Sequence, residues 1–215
     1  MNDLLQPPSI DPLPPSPLLE RFLFEQPLLP AVILGLLAIV ALVAFAGKGR
    51  RKPGLIVAGL LAVAAGAVYT TATMVTTTRE TLLQRTESLI GATATADTGS
   101  LARMLTDDVV LNTSGDIARV LPSMDDGEAI LGRVDQSLGN RFSIDHWTIA
   151  DRQATLDGPN LGRTLVRVGV DAEVFSRTHY SWWRLHWVQD NDGQWRCFEI
   201  EPLWLQLVGS AAPGR

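Results

Sequence analysis

Two apolar runs held apart by a short basic turn constrain this chain more than any other feature. Leu28 to Ala46 carries no charged residue, and neither does Leu55 to Val75. Between them stands Gly47-Lys-Gly-Arg-Arg-Lys-Pro-Gly54. The first run is 19 residues long. At about 1.5 Å rise per residue it matches the ~30 Å hydrocarbon core of a bilayer. The pattern predicts two transmembrane helices, 28–46 and 55–75, joined by a basic loop at 47–54. A cleaved signal peptide would begin basic and turn apolar early. Here the start is acidic (Asp3, Asp11) and the apolar run begins late.

Orientation follows from the loop. Lys48, Arg50, Arg51 and Lys52 sit in one short connector, which the positive-inside rule assigns to the cytoplasm. Both chain ends then face the other side. The expectation is an integral protein of a bacterial inner membrane, with its N-terminus and C-terminal domain in the periplasm.

The second run is rich in small residues. Ala58, Ala62 and Gly66 recur every fourth position, a stripe that lets helix backbones approach closely in lipid. Its simplest partner is the first helix, and homodimerisation through the same stripe is the alternative. Thr70, Thr71 and Thr73 mark the exit, where hydroxyls can bond the helix's own carbonyls. Ahead of the helices, residues 1–27 form a proline-rich tail. Prolines remove backbone donors, so this tail is expected to be extended or disordered. Its Pro12–Pro15 PxxP pattern has the form that docks into aromatic grooves. Leu18 to Phe24 suits either an interfacial segment or a frayed lead-in to the first helix.

Residues 77–215 read as a separate soluble domain. From Arg79 onward there are 13 arginines, no lysine and 19 acidic residues. An acidic surface without clustered cations argues against nucleic acid as a partner. Cys197 is the one cysteine, which excludes an internal disulfide and a cysteine-based zinc site. Thr81, Leu82, Leu83, Leu89 and Ile90 suit an amphipathic helix continuing from the membrane. Ser100 is placed to cap a short helix, Leu101 to Leu105, and Val109 to Leu111 reads as a strand. Asp125-Asp126-Gly127 opens a helix over Glu128 to Leu138. Four strands follow: Phe142–Ala154, Leu161–Phe175, His179–Gln189 and Gln194–Gln206. Val166, Val168, Val170, Ala172 and Val174 alternate with Arg167, Asp171 and Glu173, the mark of a half-buried antiparallel strand. Asp190-Asn-Asp-Gly193 signals a tight hairpin. Helices first and a strand meander afterwards predict an α+β domain, its helices packed on one face of a curved sheet.

Three stretches between about residues 79 and 207 carry a family resemblance. Leu105-Thr-Asp-Asp-Val-Val-Leu111 looks like an "L-x-D-D-V" entry into a first strand. Gly127-Glu-Ala-Ile130 looks like a "G-x-x-A-I" helix start. Asp192-Gly-Gln-Trp-Arg196, followed by Phe198-Glu-Ile200, looks like a "D-G-x-W-R-I" final hairpin. In this order they resemble the nuclear transport factor 2-like superfamily, which includes SnoaL-like cyclases and ketosteroid isomerases. The resemblance implies a cone of sheet and helices around a pocket, and often a dimer through the outer face of the sheet. It leaves the two apolar runs unaccounted for.

Enzymes of this shape place a general acid or base in the cone, its pKa shifted by apolar walls. His146, in register with Phe142, Ile144 and Thr148, is one candidate; its bland reading is a satisfied core histidine. Asp108 is the other, next to Asp107; both equally suit the end of a helix. Glu199 and Glu201 read as surface charges opposite Phe198 and Ile200. In His179–Trp187, Tyr180, Trp182, Arg184 and His186 share one face, and Ser181, Trp183, Leu185 and Trp187 share the other. With both faces aromatic, one reading makes a core and a protein interface. The other makes a pocket for a planar or anionic ligand, lined by Arg184 and His186. No HExxH, Walker loop, GxSxG or metal-spaced histidine pair occurs, so no metal or other cofactor is expected. The leading expectation is a membrane-anchored, non-catalytic binding or assembly module, a homodimer or a subunit of a membrane complex. The competing one is a SnoaL-like isomerase, cyclase or hydrolase acting on a small molecule in the cone.

Overall fold

The computed structural model describes residues 10–15, 28–47, 51–74, 77–139, 144–172, 177–206 and 209–210. The chain divides into two compact units: Pro15–Thr78, and Met1–Pro14 together with Arg79–Arg215.

The first unit is a helical hairpin. Helix α1 spans Leu28–Gly47 and α2 spans Arg51–Met74. The connector is shorter than the expected 47–54 loop. Lys48 and Arg50 lie outside the described residues, whereas Arg51, Lys52 and Pro53 already belong to the first turn of α2. A proline is tolerated there because the first-turn N–H groups lack intrahelical partners anyway.

The two helices pack side by side. The seam is built from small residues: among the described residues, Ala38 of α1 and Ala58 of α2 are the buried hydrophobic side chains of the pair. A Cβ at Gly54 would stand 2.6 Å from Phe45 Cβ. This seam continues from Ala58 through the half-buried Leu61, Ala65 and Val68. It therefore departs from the expected Ala58, Ala62, Gly66 stripe. Ala62 and Gly66 are exposed, and nothing lies within 4 Å of a Cβ added to Gly66. A strict four-residue step overshoots the 3.6-residue turn, so the stripe rotates out of the contact. Thr70 Oγ1 donates to the Gly66 carbonyl at 2.9 Å, as expected for a hydroxyl at this end of the helix.

Among the described residues one helical stretch, Lys52–Thr70, is long and apolar enough to cross a membrane. The apolar stretch of α1, Ala31–Phe45, is shorter.

The second unit is α+β. Helices α3 (Thr78–Ala94), α4 (Thr98–Met104) and α5 (Gly127–Val134) accompany strands β1 (Leu105–Leu111), β2 (Ile144–Gly158), β3 (Leu161–Ala172), β4 (His179–Gln189), β5 (Trp195–Leu205) and the short β6 (Gly209–Ser210). The sheet order is β1-β5-β4-β3-β2, with β6 also on β5. Strand β1 runs parallel to β5, and the other pairs are antiparallel. Thr77 is not helical, so α3 does not run on from the hairpin. Asp97, not Ser100, caps α4, accepting from the Ser100 N–H at 2.9 Å. Asp126 caps α5 by accepting from Glu128 N–H. The β4–β5 turn closes on Gly193, whose φ of 76° is the left-handed conformation that glycine adopts without strain.

Leu82, Leu89, Leu101, Met104, Val109, Ile130, Leu185, Trp187 and Trp195 form the core between helices and sheet. Helix and sheet approach closely at Gly162, where a Cβ would stand 2.5 Å from Leu82 Cδ1.

Candidate functional site

Between the helices and the inner face of the sheet lies a cavity of about 320 Å³. Val166, Val168 and Val170 of β3 and Trp183 and Leu185 of β4 form its sheet wall, and Leu89, Ile90, Leu101 and Ile130 its helical wall. The alternation read in the sequence puts the β3 valines there, since every second side chain of a strand points to one face. Polar atoms are few. Ser181 Oγ accepts from Trp183 Nε1 at 2.7 Å, Thr93 Oγ1 donates to the Leu89 carbonyl at 2.8 Å, and Arg133 is an exposed residue of the lining. No carboxylate, histidine, tyrosine or cysteine of the described residues is part of that lining.

Neither catalytic candidate reaches this space. His146 is exposed, and Trp147 takes the inward position expected of it. The cause is local: strand β2 breaks register with β3 between Ile144 and His146, and again between Ile149 and Asp151. Each extra residue reverses the faces that follow, and bulges commonly re-aim a side chain in this way. The Trp147 ring lies against α3 at Gly91, where an added Cβ would stand 3.2 Å from Cζ2. Asp107 and Asp108 are exposed residues within β1, not loop residues, and line an open groove on the helix side. Leu105 and Trp147 line both that groove and the cavity. Bulges leave no trace in a sequence period, so Trp147 was not legible as a site residue.

The outer face of the sheet carries a different chemistry. Tyr180, Trp182, Arg184 and His186 stand on it, while Trp183 turns inward to the cavity. Arg184 and His186 therefore do not line the cavity, and the pocket reading for them is corrected. Arg184 Nη1 donates to Glu201 Oε2 at 2.9 Å. His186 stands 3.9 Å from both Glu199 and Glu201. The His186 ring, then the Arg184 guanidinium, hold the Glu201 carboxyl below its ordinary range against a partial desolvation. Glu199 also accepts from Asn112 Nδ2 at 2.9 Å. These two glutamates are thus engaged in a network. Phe198 is not paired with Ile200 on the inner side: a register shift at His186–Trp187 brings its ring edge-on to His186 at 5.9 Å. The Arg167 guanidinium lies 4.3 Å from the Tyr180 ring centroid. Trp182 Nε1, Arg167 Nε and Arg184 Nε are buried without a hydrogen-bond partner.

No family model matches the chain, and no curated protein matches its sequence. Solved structures similar to it include a nuclear transport factor 2-like protein from Cytophaga hutchinsonii, 14% identical, covering 59% of this chain and 98% of its own, with a TM-score of 0.48. The association domain of C. elegans CaMKII is 14% identical and covers 57% of this chain and 92% of its own, with a TM-score of 0.47. A ketosteroid isomerase-like protein from Shewanella frigidimarina is 11% identical and covers 55% of this chain and 91% of its own, with a TM-score of 0.44. The structures to which this chain is similar thus include proteins described as nuclear transport factor 2-like and as ketosteroid isomerase.

Proposed function

We propose that this chain is a membrane-anchored, non-catalytic binding module. Its hairpin sits in the bilayer of a bacterial inner membrane, and its α+β unit, held on the periplasmic side, takes up an uncharged apolar small molecule. The observation that carries this reading is the lining of the cavity. A volume of about 320 Å³ is at the lower end of ligand pockets. Its walls are apolar over nearly their whole extent, so a charged ligand would lose hydration without gaining a partner. The competing reading, an isomerase, cyclase or hydrolase, needs an acid or base at the ligand, and His146 and Asp108 both lie outside the lining.

The hairpin supports the anchor. Val43 is 68% exposed, Leu60 66% and Val63 71%, and Leu36, Ile39, Val40 and Ile56 are exposed beside them. Apolar surface of this extent calls for lipid or a partner.

The test is organic extraction and mass spectrometry of full-length protein purified in detergent, beside Val170→Phe, which narrows the cavity from its wall. An uncharged apolar compound retained by the wild type and lost from the variant is the expected result. Equal retention by both, or a charged compound, would overturn the reading.

A second reading, assembly into a homodimer or a larger membrane complex, is favoured by the outer sheet face. Tyr180, Trp182 and Arg184 stand together on it, and aromatic residues and arginine are enriched at protein interfaces. Native mass spectrometry tests it: an unchanged subunit count on Trp182→Ser removes the outer face from the assembly.

A further inference from the structure

Residues Ile10–Pro15 have no regular secondary structure, but they are not without a place. The Leu13 N–H donates to Gln153 Oε1 at 3.0 Å. Within Pro12-Leu13-Pro14-Pro15 it is the one backbone donor, because proline has none. Burial in this segment repeats every third residue: Ile10 and Leu13 are half-buried, whereas Asp11, Pro12, Pro14 and Pro15 are exposed. Three residues per turn is the period of a polyproline II helix. The face turned inward is therefore Ile10 and Leu13, not the Pro12 and Pro15 that a PxxP reading selects.

The receiving surface is on the outer side of the β2 edge. Gln153 pairs with Leu165 of β3, and cross-strand neighbours share a face. Leu165 stands on the side opposite the helices, flanked by Arg163, Arg167 and Arg184, yet it is 1% exposed. Thr155, two residues along from Gln153, is 3% exposed.

We propose that the β2–β3 half of the outer sheet face is a docking site for an extended, proline-flanked apolar peptide, and that its occupant is the chain's own segment 10–14. The strap fills that half of the face in cis. Any partner of the sheet is then confined to the β4–β5 half, where Trp182, Arg184 and Glu201 stand. The strap also ties the chain ahead of α1 to the unit that follows α2. If the hairpin enters a bilayer, as proposed above, its two ends return to one side, and α1 crosses wherever α2 does.

The test uses the full chain in membrane vesicles, with Leu13→Cys and Gln153→Cys joined by a short bismaleimide. A glutamine side chain separates the two backbones by more than a disulfide spans. Cys197, 0% exposed, does not compete. The expected result is a crosslink within one chain, seen as one added linker on the monomer mass, and its absence from Leu13→Cys with Asp116→Cys. A crosslink found only between chains, or equal yields from both pairs, would overturn the cis strap. In the chain with both native residues at the contact, the Leu13 amide should exchange slowly with deuterium, and Gln153→Ala should speed it about fivefold. Unchanged exchange overturns the proposal without any crosslink. Labelling single Leu13→Cys and Asp116→Cys variants with an impermeant maleimide should reach both from one side, and opposite sides would overturn the strap. Should the crosslink form while alkaline carbonate releases the chain from the vesicles, the strap stands and the membrane reading fails.

Discussion

The Thr164 hydroxyl joins three elements in the interior. It accepts from Trp187 Nε1 of β4 at 2.9 Å and meets Thr86 Oγ1 of α3 at 2.9 Å. Thr86 spends its single proton on the Leu82 carbonyl, so Thr164 is the donor between the two. Thr164→Val keeps the shape and strands the Trp187 Nε1–H in a dry site, which costs about 1–3 kcal/mol. Thermal unfolding followed by tryptophan fluorescence should show the loss, and Thr164→Ser should largely restore the wild-type midpoint. Glu201 makes a pH prediction. Its carboxyl is held low by His186 and Arg184, so the folded state gains from its charge above the ordinary value of 4.5. That contribution disappears as pH falls below 4.5 through the lower folded value. Glu201→Gln should therefore lower stability at neutral pH and converge on the wild type at the acid end, which flattens the acid limb of the stability curve. Cys197 works the other way: complete burial pushes its thiol up to about 12. The unfolded thiol ionises first, from about 9, so its contribution is present below that pH and is lost as pH rises toward 12. A thiol reagent near neutral pH should leave the native protein unmodified and label it once on denaturation.

At the scale of elements, the hairpin seam is set by Gly54, Ala38 and Ala58. A methyl group at Gly54 meets the stem of Phe45, which cannot swing away as a flexible tip would. Gly54→Ala should force the helices apart at their connected end and cost about 1–3 kcal/mol of hairpin stability. Gly66→Ala meets nothing and should be neutral or slightly stabilising, as alanine is the better helix former. Helical circular dichroism against increasing denaturant separates the two; equal effects would sink the seam as described. Strand β2 shows how one element chooses a site residue. The register shift between Ile144 and His146 puts Trp147 into the wall of the cavity and sends His146 outward.

The molecule as a whole has two cores, one in the hairpin and one in the α+β unit. All six tryptophans lie between Trp147 and Trp204, in the second. Fluorescence therefore reports that unit, and circular dichroism reports both. For Gly54→Ala the fluorescence midpoint should match the wild type while the helical signal shifts. A common shift in both signals would mean that the two units unfold together. Charge is divided as well: the basic residues at 48–52 belong to the hairpin, and the second unit is acidic. An apolar cavity within an acidic shell favours an uncharged occupant over an anionic one.

The sequence by itself determined the segmentation and the order of elements. Charge-free runs, the basic turn, the alternation in Val166–Ala172 and the Asp190–Gly193 turn are local signals. The backbone that answers them is local too, and β4 has the bounds that its residues predict, His179–Gln189. What only the tertiary structure decided is which side chains meet. A bulge exists only against a partner strand, so His146 and Trp147 exchange roles without any change in local composition. A helix seam depends on the surface opposite, so Ala58 is buried while Ala62 and Gly66, equally small, are not. Leu13 and Gln153 stand 140 residues apart in the chain. No periodicity spans that distance, because the bond exists only once the sheet has formed the surface on which the segment docks.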